Sequence, residues 1–174
     1  MLFSGSSPAQ PLAFTDIIYV DSAGYDPYLQ SIDIYTDATF SRQPVLVYVH
    51  GGMWREGDKS YVHEKPEATR SRDWLLVSAN YRLWPDANIR EQAGDVAAAI
   101  AWTYRNIAHY GGDSSKIVVM GHSAGAHLVS LVATDESYLS DFDLDPGIIR
   151  ALSPLDTRVY DLQDMARHSW GDTL

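Results

Sequence analysis

The run Ile117-Val118-Val119-Met120-Gly121-His122-Ser123-Ala124-Gly125 constrains this chain more than any other segment. Four apolar residues of buried-strand character pass without a break into a Gly-x-Ser-x-Gly pentapeptide, and the residues that follow predict an apolar helix over 126–133. So short a turn brings the backbones of strand and helix together. It leaves no room for side chains at Gly121 and Gly125, and it forces the serine between them into a strained conformation. The pattern is that of a nucleophile elbow, which lifts the Ser123 hydroxyl above the carboxyl end of a sheet.

The remaining periodicity supplies the sheet. Residues 16–20 and 31–35 are short β-branched and aromatic stretches separated by the turn-rich Ser22-Ala23-Gly24-Tyr25-Asp26-Pro27, and they predict an antiparallel pair at an edge. Val45-Leu46-Val47-Tyr48-Val49 is apolar throughout, as in a strand covered on both faces, and 74–79 reads the same way. A loop and short helix lie between them. Ile89, Ala93, Val96, Ala97, Ile100, Tyr104 and Ile107 recur at helical spacing and predict one long helix over 88–109, stopped by Gly111-Gly112. A sixth strand is expected at 148–153. Strands alternating with helices imply an α/β fold with a mostly parallel sheet flanked by helices.

Composition narrows the function classes. In 174 residues, 13 basic side chains face 23 acidic ones for a net charge of −10, which repels polyphosphates and argues against nucleic acid and anionic membrane surfaces as partners. No apolar run approaches the ~18 residues of a membrane span. The chain has no cysteine, hence no disulfide and no thiolate metal site, and no His, Asp and Glu spacing suggests a metal. Residues 1–14 have neither a positive start nor an apolar core of signal-peptide length, so the expected compartment is the cytoplasm. The whole chain, 1–174, is expected to form a single domain.

His50-Gly51-Gly52-Met53-Trp54 follows the first buried strand, at the place where a loop donates a backbone amide to a developing oxyanion. Gly51 or Gly52 supplies one donor there, and Ala124, the residue after the nucleophile, supplies the other. With these motifs in place, the chain resembles the carboxylesterases of the hormone-sensitive-lipase-like group, and within it the arylformamidase (kynurenine formamidase) and small-esterase branch. The matching residues are His50 to Trp54, Asn80-Tyr81-Arg82-Leu83 with Pro85, Gly111-Gly112-Asp113, Gly121 to Gly125 and Val159-Tyr160-Asp161-Leu162. The resemblance implies an α/β-hydrolase fold, no cofactor, and a small ester or N-formyl amide as substrate, cleaved through an acyl-serine.

The resemblance also places the acid and the histidine of the triad after two further strands, in the order serine, acid, histidine. This chain ends at Leu174, just past the sixth strand, so the expectation is an incomplete domain lacking the last strands and helix. Asp156 and His168 keep the required order and are the chain's own candidates for acid and base; the competing reading makes Asp156 a turn residue and His168 a solvated one. The other histidines read as structural, with His50 bracing the oxyanion loop and His127 packed in a helix. Arg82, Asp86 and Asp95 read as a structural group holding the loop over 80–85. Trp54, Tyr81 and Trp84 either line a substrate pocket or belong to the core. A different function class also fits: a hydrolase-like interaction module without turnover, or one completed by another chain. An uncovered sheet edge predicts self-association in either case.

Overall fold

Alternation of side chains along the central strands divides the interior in two. Val45, Val47 and Val49 of β3 (Gln43–Val49), Leu75, Val77 and Ala79 of β4 (Leu75–Ala79), and Ile117 and Val119 of β5 (Gly112–His122) enter the larger core. Leu46, Tyr48 and Leu76 face the other side and cluster with Val62, bordered by Val118 and Met120. Burial on both faces is why these strands read as unbroken apolar runs. The structure is a computed structural model that describes residues 11–20, 23–37, 39 and 41–157.

Two further strands, β1 (Pro11–Ile18) and β2 (Ser31–Asp37), and a last one, β6 (Ile149–Leu155), complete a six-stranded sheet of order β1-β2-β4-β3-β5-β6. The β1–β2 and β2–β4 pairs are antiparallel, and the β4–β3, β3–β5 and β5–β6 pairs are parallel. The chain therefore leaves β3, β4, β5 and β6 at one common edge. His50, Asn80, Ser123 and Asp156 are the first residues beyond the four strands, and the topology gathers them there.

Helices cover both faces. After β3, α1 (Lys65–Arg70) packs on β2 and β4. The long α2 (Ile89–Asn106) starts with a capping box: the Glu91 amide donates to Asn88 Oδ1 at 3.1 Å, and the Asn88 amide donates to Glu91 Oε2 at 2.8 Å. It lies beside α3 (Ala124–Thr134), which rests on β5 and β6; α4 (Ser137–Ser140) packs against α2. None of the described helices is long and apolar enough to cross a membrane.

The boundaries differ from the sequence reading where local geometry overrides periodicity. Strand β1 begins at Pro11, not residue 16, because a bulge between Phe14 and Ile17 breaks the alternation of β1 against β2. Strand β5 begins at Gly112, which pairs with Gln43 of β3, and a shift of register passes over the polar residues 113–116 before its apolar run starts at Ile117. The α3 helix starts at Ala124 directly after the serine. The expected helix over 88–109 is α2 followed by a tighter 3₁₀ turn, Ile107–Tyr110, ended by Gly111 at φ 90°. Four-residue α4 is too short to leave a periodic signal.

Candidate active site

Ser123 joins β5 to α3 at φ 52° and ψ −116°, a conformation that costs an L-residue on the order of 1–3 kcal/mol. The surrounding backbone holds it there. Its amide donates to the Leu155 carbonyl at 2.8 Å, and its carbonyl accepts from the His127 amide at 3.2 Å. A Cβ on Gly121 would lie 2.4 Å from the Gly125 carbonyl oxygen. Tight crossing of strand and helix is thus written into the two glycines, as the motif requires. The helix begins at Ala124, whose amide belongs to the first turn and has no partner within the helix, so the positive end of α3 lies against the serine.

The loop after β3 presses against this elbow. A Cβ on Gly51 would lie 3.0 Å from both the carbonyl oxygen and Nδ1 of His122 and 3.1 Å from Ser123 Cβ, so the Gly51 backbone borders the serine directly. Gly52, Met53 and Trp54 follow with φ of 120°, 54° and 61°, three successive residues in the left-handed region. The Gly52 carbonyl accepts from the amides of Arg55 and Glu56, both at 3.0 Å. The Trp54 carbonyl accepts from the Trp84 amide at 2.8 Å and from Gln92 Nε2 at 3.0 Å. Such strain persists only where neighbours fix it, and it is typical of functional loops.

His50 is the pivot of the loop. Its ring is buried and stacks on Tyr81 with centroids 4.5 Å apart, and the Tyr81 hydroxyl donates to the His50 carbonyl at 3.2 Å. Nδ1 lies 2.7 Å from the Gly51 carbonyl oxygen; a carbonyl only accepts, so the proton sits on Nδ1. Burial pushes the imidazole below the ordinary histidine range and keeps it neutral. His127, one turn into α3, is buried with its ring edge-on to Trp54 at 5.5 Å, and burial pushes its titration down as well.

The remaining sequence candidates fall into distinct places. Trp54 and Tyr81 are core residues at 6% and 0% exposure, while Trp84 is 37% exposed beside the loop. Trp54 packs edge-on against His127 and Tyr81 stacks on His50, so of the three Trp84 is the one with an exposed ring. Arg82 holds Asp95 through Nε and the second guanidinium nitrogen, both at 2.8 Å, and Asp95 also accepts from Gln30 at 2.8 Å. Asp86 is exposed and takes no part in that group. Asp156 follows β6 at φ 54°, and its carboxylate lies 4.0 Å from Nε2 of the half-exposed His122. His168 and Val159 to Leu162 lie outside the described residues. No group of three or more His, Asp and Glu among the described residues is placed to hold a metal.

One feature of the site was not anticipated from sequence. Lys59, nine residues after His50, is buried at 2% exposure between Asp16 and Asp33 at 2.6 and 2.7 Å, and its amide donates to Asn80 Oδ1 at 2.7 Å. The only signals were charged Asp33 between Ile32 and Ile34, and Gly57-Asp58-Lys59 itself. Neither names a partner, because the carboxylates are far away in sequence.

Sheet order, crossover pattern and elbow together define an α/β-hydrolase fold. The BD-FAE family model matches residues 32–161, three quarters of the chain, and the chain belongs to that family. It is 37% identical to the esterase LipQ of Mycobacterium tuberculosis over 125 residues, 70% of this chain and 30% of LipQ. The carboxylic ester hydrolase LipM of the same organism, so named as probable, is 36% identical over 67% of this chain and 26% of its own. Among solved structures, an inhibited esterase B from Lactobacillus rhamnosis superposes with a TM-score of 0.66 at 26% identity, covering 84% of this chain and 45% of that one. The chain spans less than half the length of each of these proteins.

Proposed function

We propose that this chain carries the nucleophile and oxyanion hole of a serine hydrolase that cleaves small carboxylic esters. One observation carries the reading: the strained Ser123 stands at the positive end of α3 and next to Gly51, where an added Cβ would come within 3.1 Å of Ser123 Cβ, which supports bringing nucleophile and amide donors to one place. The Ser123 Oγ attacks the substrate carbonyl carbon and gives its proton to a base. The oxyanion that forms accepts hydrogen bonds from the amides of Ala124 and of Gly51 or Gly52. On collapse the protonated base gives that proton to the leaving oxygen, which departs as the alcohol and leaves an acyl-serine; water, activated by the freed base, then hydrolyses it.

Asp156 and His168 are the acid and base proposed from within the chain, with Asp156 standing at the carboxyl end of β6 beside the elbow. Trp84, with Met53 at 47% exposure on the strained loop, offers apolar surface for the acyl or leaving group. The printed names of the relatives, esterase and carboxylic ester hydrolase, support esters. An N-formyl amide is the narrower alternative within the same chemistry. Self-association over the edge of β6, whose outer residues include the 41% exposed Leu155, completes the proposal.

Parallel assays with p-nitrophenyl acetate and an N-formyl anilide test the substrate class. Ester turnover that exceeds formamide turnover supports the reading, and formamide preference moves the assignment to the amide branch. Sedimentation at working concentration tests self-association: a clean monomer removes that part.

A further inference from the structure

We infer that Lys59 is a positioning residue that clamps the oxyanion loop to the β1–β2 hairpin; its effect on catalysis rests on the esterase reading above, while the clamp itself does not. A lysine in a surface loop ordinarily points its ammonium into water. Here the side chain is 2% exposed, with its ammonium bonded to Asp16 Oδ1 at 2.6 Å and Asp33 Oδ1 at 2.7 Å and the Tyr28 ring centroid 4.3 Å away. The bulge in β1 serves this contact. It sets Asp16 at φ 57° and lets its amide donate to Asp33 Oδ1 at 3.0 Å, which draws both carboxylates to one side of the hairpin.

The Lys59 backbone is fixed as firmly as its side chain. Its amide donates to Asn80 Oδ1 and its carbonyl accepts from Ser78 Oγ, both at 2.7 Å, which ties the segment to the end of β4. Two residues upstream, Gly57 at φ 114° lies flat against the oxyanion loop. A Cβ there would fall 2.3 Å from His50 Nδ1 and 2.4 Å from the Gly51 carbonyl oxygen. Between Gly51 and Gly57 the chain passes through its three left-handed residues, so the loop needs a restraint at each end. Trp84 and Gln92 hold the Trp54 carbonyl at one end. At the other end Gly57 is backed by Lys59. The contact sequence Asp16 and Asp33 to Lys59, Gly57, His50 and Gly51, then Ser123, links a hairpin remote from the chemistry to the amides that face the oxyanion.

Amide hydrogen exchange and ester kinetics test the clamp. Lys59→Met alone strands two carboxylates and threatens folding, so the Lys59→Met/Asp33→Asn double variant is measured beside it, with Lys59→Arg as the charge-retaining variant. In a folded double variant, peptides within residues 49–57 are expected to exchange at least about tenfold faster, while the amides of β5 keep wild-type protection. With a p-nitrophenyl ester, kcat is expected to fall at least about tenfold with KM within about twofold, and Lys59→Arg to recover part of the loss. A folded double variant whose 49–57 exchange matches wild type overturns the inference. If wild type shows no Ser123-dependent turnover, the esterase reading fails, and the exchange measurement still decides the clamp.

Discussion

Gly125 of α3 rests so closely on the Val49 carbonyl oxygen that a Cβ at that position would come within 2.3 Å of it, with the His50 carbonyl oxygen at 2.4 Å. Both obstructions are backbone atoms and neither can swing away. Helix α3 therefore crosses the end of β3 at a separation that only glycine permits, and the same contact fixes the serine relative to the loop that follows β3. Gly125→Ala is expected to destabilise the chain by about 3 kcal/mol or more. Gly94, in the middle of α2 with nothing within 4 Å of an added Cβ, provides the contrast. Gly94→Ala is expected to stabilise by about 0.5–1 kcal/mol through helix propensity. Urea unfolding of both variants checks the pair.

The loop that carries Tyr81 and Trp84 depends on Arg82 and Asp95. Asp95 is 4% exposed and accepts from the Arg82 side chain twice, from the Arg82 amide at 3.0 Å and from Gln30. Arg82→Met leaves that carboxylate buried with only its two neutral donors, and is expected to cost about 3 kcal/mol in urea unfolding. Arg82→Lys recovers only part, since an ammonium cannot supply the two-pronged geometry. A loss below about 1 kcal/mol for Arg82→Met contradicts this role.

Acid lowers stability through two histidines. Burial depresses the titration of His50 and His127 in the folded chain, while in the unfolded chain both protonate near the ordinary value of about 6.5. Between the folded and unfolded values the unfolded chain binds more protons, so stability is full above about pH 6.5 and declines as pH falls below it. Urea midpoints at pH 7.5 and 5.5 are expected to show the lower value at 5.5. The drop is expected to shrink in His127→Leu, which removes one of the two depressed titrations and, since His127 Nδ1 has no hydrogen-bond partner among the described residues, strands no Nδ1 partner. An equal or higher midpoint at pH 5.5 contradicts the account.

Short-range signals were legible in the sequence, and long-range ones were not. The elbow, the glycine-rich loop after β3 and the six strands in their order along the chain follow from runs of apolar residues and from glycines within five positions of each other. The roles of His50 and His127 as packed residues, and of Arg82 with Asp95 as a structural pair, also follow from local pattern. The Lys59 clamp does not, since its carboxylates are 43 and 26 positions away and come near only after β1 and β2 pair. Trp54 and Tyr81 were ambiguous for a related reason. An aromatic residue beside a site looks the same in sequence whether its ring faces substrate or, as here, another buried ring.

Gly51 separates folding from chemistry. Its missing side chain faces His122 and Ser123 at 3.0–3.1 Å, distances that a shift of a few tenths of an ångström relieves. Gly51→Ala is therefore expected to fold, with a thermal midpoint near wild type. Displacing an oxyanion donor typically costs about 10²–10³ in rate, and a loss of that order in fluorophosphonate labelling of Ser123 is expected. Wild-type labelling in a folded Gly51→Ala removes the loop from the proposed oxyanion hole.

The central claim is that Ser123 is an activated nucleophile, and hydrolysis of a short-chain p-nitrophenyl ester by the purified chain beside its Ser123→Ala variant tests it most directly. The account predicts turnover and fluorophosphonate labelling in wild type, both abolished by Ser123→Ala while the far-ultraviolet circular dichroism is unchanged. Loss of the wild-type turnover in a folded His168→Ala variant would place the base in this chain. Absence of labelling in folded wild type, or turnover that survives Ser123→Ala, would contradict it and leave the fold as an interaction module.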